Sequence, residues 1–240
     1  MKRVMYREAI AAALAEEMRR DETVFVMGED VAIVGGVYKA TKGLLEEFGP
    51  QRVRNTPLSE LAIMGTATGA AMCGARPVAE IMHIDFIGCG FDILLNQMSK
   101  MRYKTNGQVT VPLVIRTQCG RGRSNGCTQS QSLESLLTHI PGLKVVFPST
   151  PTDAKGLMTS ALEGTDPVVF FESQRVYGFG EEFNKNGVPT GHFEIPFGEP
   201  DVKKEGKDVT IVTIGAVLYR AMEAAKILEE KYGISAEVID

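Results

Sequence analysis

The sequence predicts an α/β protein built on a mainly parallel sheet with helices on both faces, followed by the start of a second α/β unit. Three observations lead there. Short β-rich runs alternate with helical segments over most of the 240 residues, the pattern of parallel strands joined by crossover helices. That rhythm breaks over 176–206, VYGFGEEFNKNGVPTGHFEIPFGEPDVKKEG, a stretch dense in Gly, Pro, Asn and charge that suits a connector between domains. It then resumes for a single strand–helix–strand unit over 207–240, which is too small to bury both faces of its sheet and reads as the beginning of a further domain.

Taken in order, residues 5–20 have helical character and Thr23–Met27 read as a buried strand ended by Gly28. A short helix is expected over Tyr38–Phe48, stopped by Gly49-Pro50. Ser59–Met72, apolar and rich in small residues, is expected to be a buried helix, and Pro77–Met82 a strand. Phe86–Tyr103 has helical periodicity, and strands follow at 111–117 and 143–149. Residues 151–164 form a helix with proline in the first turn, and 167–173 a further strand. After the connector come a strand at 208–215, a helix over 216–232 and a strand at 234–240.

Composition narrows the function classes. A net charge of −4 gives no reason to expect a nucleic-acid partner, and no apolar run is long enough to span a bilayer. Glu8, Glu16 and Glu17 interrupt the N-terminal apolar stretch, which favours an amphipathic helix over a signal peptide. Cys73, Cys89, Cys119 and Cys127 form no CxxC pair or zinc pattern and are expected to be reduced thiols of a cytoplasmic protein. His83, His139 and His192 are equally scattered, so a metal site made by a side-chain cluster is not expected. There is no GxGxxG after a strand and no P-loop. Gly65-x-x-x-Gly69 makes a smooth helix face, suited equally to packing within the domain or to a contact between subunits.

The strongest local signal is NTPLSELAIMG (55–65). One reading is structural: Ser59 caps the helix and Glu60 complements its dipole, worth roughly 0.5–1 kcal/mol. The other is functional: a partly buried carboxylate at the mouth of a parallel sheet, where α/β proteins bind ligands. Spacing alone favours the first. A second candidate is the polar loop GCTQSQSLE (126–134), preceded by Arg121 and Arg123, which ends where a helix can begin.

The chain resembles the β subunits of the thiamin-diphosphate-dependent 2-oxo acid dehydrogenases, a family that includes pyruvate, acetoin and branched-chain 2-oxo acid dehydrogenases. The resemblance rests on MGEDVAIVGGVYKATKGLLEEFGPQRV, NTPLSE, GARPVAEIMHIDF, NQMSKMRY, VPLVIRT, QSQSLES, HIPGLKVVFPSTPTDAKGL and DPVVFFE, in this order along nearly the whole chain. It implies a thiamin diphosphate-binding fold: a pyrimidine-binding domain over 1–175, a linker over 176–206, and an incomplete transketolase-like C-terminal domain over 207–240. It also reverses the weighting of Glu60. The family's TPLSE glutamate hydrogen-bonds N1′ of the cofactor's aminopyrimidine and favours the imino tautomer, whose N4′ deprotonates thiazolium C2; the cofactor then serves as electron sink.

By the same resemblance Met82 and Phe86 line the aminopyrimidine pocket, and Glu29 lies near a water-filled passage joining paired active sites. Backbone carbonyls of Leu113, Ala161, Gly164 and Asp166 correspond to a potassium site, although Gly164 stands where a polar residue is common. His139 matches a structural position. The family's GDG…NN motif, which holds the diphosphate and Mg²⁺, belongs to a separate α subunit, and no GDG occurs here. The expected partners are therefore that α subunit, in an α2β2 assembly, a lipoyl acyltransferase, and a 2-oxo acid or acetoin as substrate.

QSQS takes the place of a segment that usually reads HSQS, so Gln129 stands where the family has a histidine thought to assist acyl transfer to the lipoyl arm. Glutamine cannot exchange a proton near neutral pH as imidazole does. Two alternatives therefore stay open: a relative with altered acyl-acceptor chemistry, and a non-catalytic assembly or regulatory subunit that keeps the fold.

Overall fold

A computed structural model describes residues 4–120 and 124–240; Arg121 and Arg123 of the loop before GCTQSQSLE lie outside them. The first unit is a six-stranded, all-parallel sheet in the order β2-β1-β3-β4-β6-β5. Its strands are β1 (Val24–Gly28), β2 (Val53–Asn55), β3 (Arg76–Ile81), β4 (Val114–Cys119), β5 (Lys144–Val146) and β6 (Val168–Ser173). Strands β4 and β6 are buried at every position, as expected where helices cover both faces.

One face carries α1 (Tyr6–Arg20) and α6 (Pro151–Glu163), packed on each other around Ile10, Leu14, Met18, Met158 and Phe170. The other carries α3 (Glu60–Met72) and the helical turns after β3, around Met64, Ile81, Leu94, Ile115 and Phe171. Helix α6 starts as the sequence suggests: Pro151 occupies the first turn, and Thr150 and Asp153 exchange hydrogen bonds in a capping box.

Three expectations change. The helix anticipated over 38–48 shrinks to α2 (Leu44–Phe48), because Gly43 at φ 90° breaks it and the preceding residues turn instead. The run 86–103 is not one helix but a 3₁₀ segment (Ile84–Gly90), a π segment (Ile93–Met98) and the short α4 (Met101–Lys104). Gly90 lies so close to Met64 that a Cβ there would meet its Cε, which bends the chain over α3. Helix α3 itself is buried on one face only. Leu61 is 52% exposed and Gly69 has nothing within van der Waals reach, since uniformly small apolar residues do not mark which face is covered.

The second unit is β7 (Val202–Lys204), β8 (Val209–Val212), α7 (Val217–Tyr232) and β9 (Ala236–Ile239), with strand order β7-β9-β8. Strand β9 runs parallel to β8 and antiparallel to β7. The sequence expectation placed β7 inside the connector; Lys-Lys-Glu-Gly after a single valine gives no strand pattern.

The rest of the connector is held down rather than free. Lys155 donates to the carbonyls of Pro189 and Gly191, and Gly156 leaves room for Ile195 and Phe193 against α6. Ser149 donates to the Asp240 carboxylate at 2.6 Å, tying the first sheet to the end of β9.

Candidate active site

In a parallel sheet the loops that leave the carboxyl ends of the strands converge on one edge. Here that edge gathers Glu29 and Asp30 after β1, Thr56–Glu60 after β2, Met82–Phe86 after β3, the QSQS loop after β4 and Gln174 after β6. Cross-links fix these loops to one another. The Thr56 N–H donates to the Gly28 carbonyl at 3.0 Å and the Ala32 N–H to Asn55 Oδ1 at 2.7 Å, so the β1 and β2 loops travel together. Gln131 donates from its backbone and from Nε2 to Asp85 Oδ1, at 3.3 and 2.8 Å, which pins the QSQS loop to the β3 loop.

Glu60 opens α3. Ser59 sits at the N-cap position, yet its hydroxyl makes no capping bond, so the purely structural account of this pair loses half its content. The Glu60 carboxylate forms no hydrogen bond or ion pair among the described residues and is partly exposed. Glu29 is close enough to feel it: burial, then the Glu60 charge, then Asp30 push the Glu29 carboxyl above its ordinary range. Asp30 itself holds a left-handed φ of 56°, a conformation that non-glycine residues adopt rarely.

Met82 and Phe86 are half-buried on the adjacent loop, and the turn bearing Phe86 packs against α3. Gln129 is half-buried too, and its position depends on Gly120: a Cβ on Gly120 would fall 2.1 Å from the Gln129 carbonyl oxygen.

Behind this edge lies a charged cluster that the sequence reading missed. Arg116 is fully buried on β4. It donates from Nε and Nη2 to Glu172 on β6, at 2.6 and 2.8 Å, and from Nη1 to Glu80 on β3 at 2.8 Å. Tyr177 donates to the second Glu172 oxygen. Burial raises the Glu80 carboxyl, and Arg116 opposes the rise. The available signal was a charged residue well inside each of three strand runs, aligned across the sheet as Glu80 opposite Arg116.

A second missed cluster is neutral. The Gln174 side-chain nitrogen lies 2.9 Å from Tyr38 Oη, 3.3 Å from Gln118 Oε1 and 3.4 Å from His83 Nδ1, while Gln174 Oε1 is buried with no partner among the described residues. His83 also meets the rings of Phe86 and Tyr38 edge-on. Its ring is held below its ordinary pKa, chiefly by burial.

At the expected potassium site, two of the four carbonyls already accept hydrogen bonds within the chain. The Leu113 carbonyl accepts from the Val168 N–H, and the Gly164 carbonyl, with that of Leu162, accepts from the Arg76 guanidinium at 2.7 Å. The Asp166 side chain pairs with Arg102 and Lys144. Ala161 is buried on α6 beside them. A cation bound there would share the Gly164 carbonyl with the Arg76 guanidinium. His139 closes α5 (Glu134–Thr138), and His192 bonds Glu163, the last residue of α6, at 3.0 Å. None of the four cysteines forms a disulfide among the described residues, and no helix among them is long and apolar enough to cross a membrane.

A parallel sheet with a partnerless carboxylate opening a helix at its carboxyl edge, beside apolar side chains, is the architecture of a transketolase-type pyrimidine-binding domain. Residues 2–179 match the family model described as the transketolase pyrimidine-binding domain, and residues 198–240 match the transketolase C-terminal domain. The chain is 47% identical to the 2-oxoisovalerate dehydrogenase subunit beta of Bacillus subtilis, covering 98% of this chain and 70% of that protein. It is also 47% identical to the acetoin:2,6-dichlorophenolindophenol oxidoreductase subunit beta of Cupriavidus necator, over 97% of this chain and 70% of the relative. Against the pyruvate dehydrogenase E1 component subunit beta of Bacillus subtilis, the identity is 46% over 97% of this chain and 70% of the relative.

Among solved structures, a split-gene transketolase described as an inactive β4 tetramer superposes with a TM-score of 0.80 at 27% identity, covering 99% of this chain and 70% of that one. The chain belongs to the family of 2-oxo acid dehydrogenase E1 β subunits.

Proposed function

We propose that this chain is the β subunit of a 2-oxo acid dehydrogenase E1 component, working with an α subunit in thiamin-diphosphate-dependent oxidative decarboxylation and acyl transfer to a lipoyl domain. The carrying observation is Glu60: a carboxylate at the first turn of α3, on the ligand-binding edge of the sheet, with no partner among the described residues. The bound cofactor would supply the electron sink for decarboxylation.

This chain's share is positional and protonic. Glu60 offers a carboxylate to a ring nitrogen that must gain and lose a proton, and Glu29 beside it keeps the local field negative. Met82 and Phe86 offer apolar walls to a flat heterocycle. Gly120 and the Gln131–Asp85 bonds hold the polar QSQS loop at the rim. Nothing in this sequence corresponds to the diphosphate and Mg²⁺ motif, so that half of the site falls to the α subunit. The uncovered face of α3, with Leu58 79% and Leu61 52% exposed around the start of the helix, suits burial against that subunit.

The substrate side of the site is shared with the partner, and the relatives act on three different substrate types by their names, so the acyl group is set by the assembled pair. Gln129 supports the second reading, a relative whose acyl acceptor chemistry differs. Co-expression with the cognate α subunit, followed by assay with cofactor, Mg²⁺ and a panel of 2-oxo acids and acetoin, tests both. Substrate-dependent reduction of a dye and acylation of a lipoyl domain are expected. Dye reduction without lipoyl acylation selects the second reading, and no turnover by a correctly assembled pair overturns both.

A further inference from the structure

Opening a disulfide acceptor requires a proton. As the acyl carbon bonds to one sulfur, the S–S bond breaks with its electron pair on the other sulfur, which leaves as thiolate and must be protonated to become a thiol. The two electrons that reduce the disulfide are those left on the substrate carbon when CO₂ departs. Gln129 on the rim loop cannot deliver that proton. The chain has three histidines, and of these His83 belongs to the loop after β3 that is bonded to QSQS.

We infer that His83 is the proton donor to the acyl acceptor's leaving sulfur, an inference that rests on the function proposed above. It is placed for this by geometry. It follows Met82 and precedes Phe86 on the loop bonded to QSQS through Asp85 and Gln131. Nδ1 is committed to the Gln174 amide at 3.4 Å, and Nε2 has no bond among the described residues. One ring nitrogen is thus oriented by a neighbour while the other is left to exchange a proton, the division of labour that acid–base histidines use.

Gln174 is 2% exposed, and whichever way its amide is turned, one of its polar atoms remains orphaned. An orphan of this kind beside a buried imidazole marks a place for a polar group of the reacting molecules or a bridging water. The groups facing the ring are Asp85 on its own loop, Tyr38 from the loop after β1, and the neutral amides of Gln118 and Gln174. The charged trio Arg116, Glu80 and Glu172 lies behind Tyr177, which stacks on Tyr38. Burial holds the ring pKa low, so once protonated it is a stronger acid than an ordinary imidazolium.

The test compares wild type and His83→Gln in the assembled α–β complex with two acceptors, a lipoyl domain and a dye that needs no sulfur protonation. The lipoyl-dependent rate is expected to fall 30-fold or more and to lose its alkaline decline, while dye reduction falls at least tenfold less. Restoring an imidazole at the rim, in His83→Gln/Gln129→His, is expected to recover lipoyl acylation. Independently of turnover, ring NMR of the unloaded complex should place one histidine below the ordinary titration range, with its signal absent in His83→Gln and moved in Gln174→Leu.

Equal loss with both acceptors, loss with neither, or a His83 ring that titrates normally in a folded complex overturns the inference while leaving the proposed function standing. A wild-type complex inactive with every acceptor overturns both together. Should His83→Gln fail to assemble, His83→Asn and Gln174→Leu carry the same comparison.

Discussion

Glu60 raises the proton affinity of Glu29: the two carboxylates sit on loops that the Thr56–Gly28 and Ala32–Asn55 hydrogen bonds lash together, and the charge of one penalises ionisation of the other. Like charges are seldom placed together at a sheet edge without a use. In this chain the pairing raises the affinity of the edge for a proton.

Glu60→Gln keeps the shape and removes the charge. Dye-linked decarboxylation by the assembled pair should fall by about 10²–10⁴-fold, the usual worth of a positioned acid–base group. The helix should lose at most about 1 kcal/mol from its first turn. Parallel rate and thermal-melting measurements check the split; full activity would remove Glu60 from its role.

The same substitution should be felt at Glu29. With one neighbouring charge gone, its pKa should move down toward the ordinary carboxylate range, read by carboxyl-carbon NMR titration. For a carboxyl raised in the folded state, folding holds the proton more tightly than the unfolded chain does. Its effect on stability is therefore unfavourable once pH exceeds the folded pKa and vanishes below the unfolded one. Accordingly Glu29→Gln should stabilise the fold at neutral pH and have no effect in acid.

Arg116→Met should be among the most damaging single changes. It leaves Glu80 and Glu172 buried without their cation, a loss of about 3–5 kcal/mol by comparison with other broken buried pairs. Denaturant unfolding measures it. Adding Glu80→Leu and Glu172→Met to Arg116→Met should recover much of the loss, because the charges then no longer need each other.

The Asp240 carboxyl is pushed up to about 6, first by burial and then by Asp153, against the Ser149 hydrogen bond that favours its charge. Its folded pKa lies above the unfolded value. The penalty is thus absent below about pH 4, grows between about 4 and 6, and is complete above that. Asp240→Asn should raise stability by roughly 1–3 kcal/mol at pH 7.5 and leave it unchanged at pH 4, as melting curves at the two pH values would report.

Gly120→Ala tests the rim loop. A methyl group there meets the Gln129 carbonyl, so the loop must move. We expect a loss of lipoyl acylation with a stability cost of about 1–3 kcal/mol, typical of overpacking, and circular dichroism unchanged.

Alternation of strands and helices made the parallel sheet legible, since each strand run is locally apolar and each helix carries its own stop signals. What escaped was set by distant partners. Strand β7 is a strand only because β9 pairs with it. His83 looked like one of three scattered histidines because its neighbours Tyr38, Gln118 and Gln174 are far away in sequence. The Arg116 cluster is spread over β3, β4 and β6. Glu60 was visible as a residue worth weighing, but periodicity and capping alone pointed to a cap; the family resemblance, and then the absence of any capping bond at Ser59, moved the balance.

The first sheet also divides its labour from end to end. At the amino edge, Arg76 closes on the carbonyls of Leu162 and Gly164, and Arg102 and Lys144 hold Asp166. These contacts are made within the chain. At the carboxyl edge, Glu60, Gln174 Oε1 and Asp85 Oδ2 find no partner among the described residues. Substitutions that tighten the first pole would reinforce contacts the chain already makes with itself. At the second, every improvement to the isolated chain would compete with whatever is meant to arrive.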